Sequence, residues 1–136
     1  MSAAAATPDD VLPVIVRELR DTDWHFVCHS WSRNTRLRSR SALRRAHSWY
    51  EELRVRGTRF LVAANPEDED QIFGWVCFED NIVHYIFVKP IYRDQGIARS
   101  LFAGSGLTST TYCVNWNPLA QKISNKHPNT LRRLQC

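Results

Sequence analysis

Apolar positions along the chain change period several times, and each change marks an element. Residues 11–19 read as a strand. Pro13 restricts it to a sheet edge or to its own first residue, and Val14, Val16 and Leu12 supply the inward face. Asp21 or Thr22 then caps a helix on which Trp24, Val27, Cys28 and Trp31 recur every three or four residues. Ser39 or Ser41 opens a second helix, with Leu43, Ala46, Trp49 or Tyr50, and Leu53 as its buried stripe and Gly57 at its end. Residues 58–64 and 71–79 carry strand composition on either side of an acidic turn, residues 65–70, and pair as a hairpin. Gly74 inside the second run suggests a bulge or a close backbone approach. After a tight turn at Asp80 and Asn81, residues 82–88 are apolar on both faces, the pattern of a strand covered on both sides in mid-sheet. A helix starting near Gln95 and stopped by Gly104, Ser105 and Gly106 follows. A strand within residues 109–116 and a short helix capped by Asn115 or Asn117, with Leu119, Ala120 and Ile123 inward, complete the order βααβββαβα. Residues 125–136 are polar, basic and loosely held.

The stretch 83–102, VHYIFVKPIYRDQGIARSLF, organises the rest. A strand runs into the start of a helix there. Several unpaired N–H groups and the positive end of a helix dipole meet at one point, which suits a phosphate or pyrophosphate. Gly96 and Ala98 let the anion approach the backbone, and Arg93 can fold its guanidinium over it.

Composition narrows the class. With 136 residues, 43% hydrophobic and 24% charged, the chain suits a soluble domain over residues 11–136 behind a disordered, Ala-rich tail, residues 1–10. Four cysteines with no CxxC spacing point to reduced thiols in a cytoplasm. No leader pattern is present, and no apolar run reaches the roughly 20 residues of a membrane span. His25 and His29 stand four apart without a third ligand near them, so no metal site is expected. The net charge is +4, but residues 33–59 hold nine arginines and no lysine against Glu51 and Glu52, a local charge of +7. Such a block suits either a solvated helix face or contact with an acidic partner.

Val88-Lys89-Pro90 followed by Arg93-x-x-Gly96-x-Ala98, in strand-then-helix context, resembles the signature of the GCN5-related N-acetyltransferases (GNAT). The element order and the opening REL-RDTDW are similar to that family as well. The wording around the signature, SW in the first helix and HYIFVK in the central strand, resembles short acetyltransferase-like proteins of bacteriophages.

The resemblance implies an α/β (α+β) fold with a mixed, mostly antiparallel central sheet flanked by helices and C-terminal strands shortened or absent. It also implies acetyl-CoA as co-substrate. The pyrophosphate would lie on the N–H groups of Asp94, Gln95, Gly96, Ile97 and Ala98, and the pantetheine arm along Ile86, Phe87 and Val88. Arg99, Lys122 or Lys126 would meet the nucleotide phosphate, and Val88 or Phe87 N–H would polarise the thioester carbonyl. His84 on the central strand is the first choice of general base, with Glu79 and Asp80 in reserve through water. Asn117-x-x-Ala120 matches the family's N-x-x-A-x-x-x-Y motif, but Ser124 stands where that motif has its acidic Tyr. Tyr112 or Tyr85 must then replace it, or the thiolate leaves without help from the chain.

Three functions follow. The first is N-acetylation of an amine, on a protein in one version. The second is a GNAT-fold module of weak or no activity that binds a bacterial host protein through residues 33–59. The third is nucleic-acid binding through the same arginines, which lack a groove-reading motif.

Overall fold

The computed structural model of the chain describes residues 12–34, 39–106, 111–113, 118–126 and 131–133. Strand β1 (Ile15–Glu18) leads through a 3-10 turn at Asp21–Asp23 into helix α1 (Trp24–Asn34), followed by helix α2 (Arg40–Val55). Strands β2 (Arg59–Asn65), β3 (Asp68–Glu79) and β4 (Ile82–Val88) form a meander. A second 3-10 turn, Pro90–Tyr92, precedes helix α3 (Ile97–Ser105), and then come β5 (Thr111–Cys113), α4 (Pro118–Lys126) and β6 (Leu131–Arg133). All six strands lie in one sheet in chain order. β1 to β4 are antiparallel, and β5 and β6 join in parallel.

This is the expected mixed, mostly antiparallel sheet flanked by helices, with one element added. β6 arises in the polar tail 125–136, where hydropathy predicts nothing. Three residues recruited by backbone pairing with β5 need no apolar run.

The sheet separates two cores. On one face Val27, Cys28 and Trp31 of α1 and Tyr50 and Leu53 of α2 pack on Phe60, Val62, Trp75, Cys77, Tyr85 and Phe87. On the other, Ile97, Leu101 and Phe102 of α3 and Leu119 and Ala120 of α4 pack on Leu61, Ala63, Val76, Val83, Ile86 and Val88. Of the predicted stripes, Val27, Cys28, Trp31, Leu53, Leu119 and Ala120 are buried, Trp24, Ala46 and Ile123 are half-buried against the cores, Leu43 is half-buried outside them, and of the pair Trp49 and Tyr50 it is Tyr50 that enters the core. Leu12, Val14 and Val16 cover the α3 side, and β1 lies at the sheet edge, but it begins only at Ile15, so Pro13 precedes the strand and does not itself restrict it.

Several boundaries differ from expectation. Neither Asp21 nor Thr22 caps the first helix. Arg20 holds the cap position, and Asp23 reaches back to accept its N–H at 2.7 Å. Asp23 is free to cap there because Arg17 holds it from the other side. Ser39 does cap α2, accepting from Ala42 N–H at 3.1 Å. The β2–β3 connection shrinks from residues 65–70 to Pro66 and Glu67, since Asn65 and Asp68 already pair. α3 begins at Ile97, two residues after Gln95, because Gly96 adopts the left-handed conformation (φ 82°) that no helix interior contains. β5 keeps three of the eight residues expected of it, the remainder of 109–116 lying outside the described residues.

Two register slips bend the central strands. Ala63 faces Gly74 but Ala64 faces Ile72, so Phe73 is the extra residue of a bulge beside Gly74. A Cβ on Gly74 would stand 2.5 Å from the carbonyl oxygen of Phe87, so the bulge and the close approach expected at this glycine occur together. The second slip lies between Cys77, which faces Tyr85, and Phe78, which faces Val83. His84 is the residue left over.

Candidate functional site

β5 pairs with β4 only at Ile82 and Val83, so among the described residues the two strands share a register over the start of β4 alone. Lys89 N–H donates to Phe73 O at 2.9 Å, making Lys89 and Phe73 a hydrogen-bonded pair of the ladder. Alternation then turns the backbone groups of Phe87 toward β3 and those of Ile86 and Val88 toward the opposite edge. Of the two candidates for polarising a carbonyl, Val88 therefore faces the edge that β5 joins, and Phe87 does not.

Just past Val88 the chain makes its second 3-10 turn, which brings Arg93 back. Arg93 Nε donates to the carbonyl of Val88 at 3.0 Å, closing the strand end. Asp94 follows in the left-handed region (φ 65°), then Gly96 (φ 82°). The first helical bond of this turn runs from Ser100 N–H to Gly96 O at 3.0 Å. The N–H groups of Ile97, Ala98 and Arg99 precede it and have no intrahelical acceptor. They form the positive end of a nine-residue helix. The side chain of Ile97 is buried in the α3 core, so only its backbone can serve a ligand. Arg99 is exposed. Lys122 of α4 reaches the same corner and pairs with both oxygens of Asp94, at 2.7 and 2.8 Å. Gln95 O accepts from Leu12 N–H at 3.0 Å, which ties the segment ahead of β1 to this loop.

The second cluster gathers at the bulge of β4. His84 is 6% exposed, and its Nε2 lies 2.7 Å from Oε1 of Glu79, at the far end of the hairpin turn. That same oxygen accepts from Nη2 of Arg56. The hydrogen bond with His84, assisted by Arg56, holds the Glu79 carboxyl below the usual carboxylate range against the opposing effect of burial. An ionised carboxylate can only accept, so this hydrogen bond runs from His84 Nε2–H to Glu79. The ring of Trp49 stands edge-on to His84, with centroids 6.3 Å apart.

The bulge also changes which faces these side chains occupy. Val83 and Tyr85 are two apart yet lie in opposite cores. Parity counted along the sequence is broken at His84, whose ring turns toward α2. Tyr85 is buried and stacked on Trp31 at 5.3 Å, deep in the α1 and α2 core. Tyr112 stands opposite Ile82 in the β4–β5 register, and Ser124 is half-buried on α4. Asp80 is exposed in the hairpin turn at φ 51°. Asn117 lies outside the described residues, as does the side chain of Lys126.

The arginine block divides. Arg54, Arg56 and Arg59 pair with Asp21, Glu79 and Glu18 and lie over Trp24, Trp49 and Phe78. They belong to the fold. Arg44 and Arg45 instead line an open groove of about 420 Å³ with Ser41, Ser48, Trp49 and Glu52. Sequence reading did not single out Arg56 or Trp49. The first is one arginine among nine, and the second is an alternative to Tyr50 in a helical stripe. Among the described residues no three of His, Cys, Asp and Glu gather as metal ligands, and no helix is long and apolar enough to cross a membrane.

No protein-family model and no curated protein matches the chain in sequence. Solved structures do match in shape. AAC(6')-Iy, solved in complex with the bisubstrate analogue CoA-S-monomethyl-acetylneamine, superposes with a TM-score of 0.59 at 14% identity, over 92% of this chain and 100% of that one. A GCN5-related N-acetyltransferase from Rhodopseudomonas palustris gives 0.56 at 12% identity over 85% and 81%. Apo YjaB from Escherichia coli gives 0.51 at 17% identity over 69% of this chain, and the match spans 65% of YjaB, under two thirds of its length. What the chain has in common with them is the fold.

Proposed function

We propose that this chain is an acetyl-CoA-dependent N-acetyltransferase acting on an amine. The observation that carries the reading is the junction from Val88 to Ile97, where an outward-facing strand edge ends beside a helix N-terminus opened by a left-handed glycine. The residues present suit a CoA thioester. The N–H groups of Ile97, Ala98 and Arg99 are aligned for a pyrophosphate, Gly96 has no side chain to obstruct it, and Arg99 and Lys122 place positive charge at the same corner. Asp94 and Gln95 shape the loop that presents these groups. Val88 offers the backbone edge beside which a pantetheine arm can lie, with Asn117 assigned to the same ligand by the family motif.

Bound acetyl-CoA supplies an acetyl group activated as a thioester. The chain's own residues hold and orient it, and the Val88 N–H is directed to the edge where an acyl oxygen can accept from it. His84, held at Nε2 by Glu79, is the residue assigned to receive the proton of the amine. Ser124 is too weak an acid to protonate the leaving thiolate, and Tyr112, paired with Ile82 at the far end of β4 from Val88, is out of reach of a thioester held there, so the thiolate leaves unaided.

A calorimetric titration with acetyl-CoA tests this. The wild-type chain is expected to bind saturably, and Gly96→Glu to lose at least about tenfold in affinity, because a carboxylate at the helix N-terminus repels the phosphates and sits at positive φ. Absence of saturable binding by the wild type removes the enzyme reading. One observation would then favour the second reading: the groove beside Arg44, Arg45 and Trp49 is basic and aromatic, and suits an acidic segment of a protein partner. That partner is a bacterial host protein if the likeness to phage proteins holds. Binding of DNA with steep salt dependence would point to nucleic acid instead.

A further inference from the structure

We propose that a cavity between the start of α1 and the end of β4 binds an α-amino acid with an apolar side chain. The cavity holds about 310 Å³ and is lined by Thr22, Phe26, Asp70, Gln71, Ile72 and Lys89, with the buried Asp23 beside them. That is the scale of a small molecule. Two of the lining side chains carry opposite charges, and neither is paired. Lys89 Nζ lies 5.1 Å from the centre of the Phe26 ring, turned to the aromatic face, and among the described residues no carboxylate forms an ion pair with it. Asp70 is exposed, and among the described residues it forms no ion pair either.

The other charges around the cavity are answered within the fold. Asp23 accepts from both terminal nitrogens of Arg17, at 2.7 and 3.0 Å, and Arg20 pairs with Glu69 at 2.6 Å. Asp70 acts on Arg17 through its field, but the hydrogen bonds of that guanidinium go to Asp23 and to the carbonyls of Glu18 and Glu69. One cation and one anion are left, and a zwitterion matches both, with its carboxylate on Lys89 and its ammonium on Asp70. A ligand of one charge gains one of these contacts and is repelled by the other group. Phe26 and Ile72 offer apolar surface to the body of the ligand. Gln71 forms a fixed wall, accepting from Asn65 Nδ2 at 2.8 Å and donating to the Tyr92 hydroxyl at 3.1 Å. Phe26 and Ile72 belong to the α1 and α2 core, whereas Ile97 at the start of α3 belongs to the core across the sheet. The cavity is therefore separate from the place assigned to acetyl-CoA.

The test is a nuclear magnetic resonance titration of the full chain with L-leucine. Two comparison ligands are 4-methylpentanoate, which is leucine without its ammonium, and 3-methylbutylamine, which is leucine without its carboxylate. L-leucine should bind saturably, shifting the amides of Phe26, Ile72 and Lys89 and leaving those of Ile97, Ala98 and Arg99 in place. Each comparison ligand should bind at least about tenfold more weakly. Lys89→Met and Asp70→Asn should each weaken L-leucine binding at least about tenfold, and Lys89→Arg, which keeps the charge, should retain most of it. An amide spectrum unchanged away from the cavity verifies that each variant is folded. No saturable shift with L-leucine overturns the proposal, as does equal affinity for either comparison ligand or undiminished binding by Lys89→Met. Shifts centred on Ile97, Ala98 and Arg99 overturn it as well, since they put the ligand at the anion junction. No acetyl-CoA is present in the titration, so its result is independent of whether the chain transfers an acetyl group.

Discussion

Asp23 carries more interactions than any other carboxylate in the described chain would suggest from its sequence neighbourhood. It is 3% exposed and accepts from Arg17 Nη1 at 2.7 Å, from Arg17 Nη2 at 3.0 Å and from Arg20 N–H at 2.7 Å. Burial alone would raise its pKa, but the two arginine contacts and the backbone donor outweigh it and hold the carboxyl below its usual range. A depressed folded value means stabilisation that is fully present above the ordinary carboxylate pKa of about 4 and is lost as pH falls through the folded value. Asp23→Asn should cost about 3 kcal/mol at pH 7, since it leaves Arg17 without its counter-charge. Urea midpoints between pH 7 and pH 2 check this: the wild-type midpoint should fall more steeply below about pH 4 than the variant's. In sequence, Asp21 and Thr22 are the cap candidates and nothing marks Asp23, whose place is set by Arg17 on the neighbouring strand. The pairing of Arg56 with Glu79 was hidden for the same reason, because a contact between the end of one helix and a distant hairpin leaves no periodic trace.

At the level of elements, periodicity located α1, α2, β2 and β4 well, since each must bury a face and the spacing of apolar residues records which one. The bulge beside Gly74 was marked by its glycine, but the one at His84 left no such record. A strand apolar on both faces reads the same with or without an extra residue, so neither the slip at His84 nor the reversal of faces around it was legible. Helix packing shows a second limit. α3 lies so near β1 that a Cβ on Gly104 would stand 2.6 Å from Cγ1 of Val16. Sequence marks that glycine as a helix stop, yet the helix runs through it to Ser105. Gly104→Ala should therefore destabilise the chain by about 2 kcal/mol despite its better helix propensity. In a Val16→Ala background the same change should cost much less. A double-mutant cycle from denaturant curves measures the coupling, and simple additivity would contradict the close approach.

Across the whole molecule, the strand-to-helix junction stood out in sequence because its chemistry is contiguous, whereas the cluster at His84 draws on α2, β3 and β4 and exists only once the sheet has formed. The two cores on either side of that sheet differ in one further respect. Cys28 and Cys77 are both buried, and both lie on the α1 and α2 side. Burial pushes the Cys28 thiol up to about 11 and that of Cys77 higher still, so neither presents an appreciable thiolate while its surroundings stay closed. In a Cys113→Ser, Cys136→Ser background, alkylation followed by mass spectrometry becomes a clock for one face alone. Cys28, on a helix that can lift from the sheet, should label by partial opening, and Cys77, within the sheet itself, only at the rate of complete unfolding. Equal rates without denaturant would mean that this face opens as a unit. The chain thus carries its own pair of reporters on the half of the molecule that holds His84, and a ligand bound at α3, across the sheet, would slow them only if the two faces are mechanically linked.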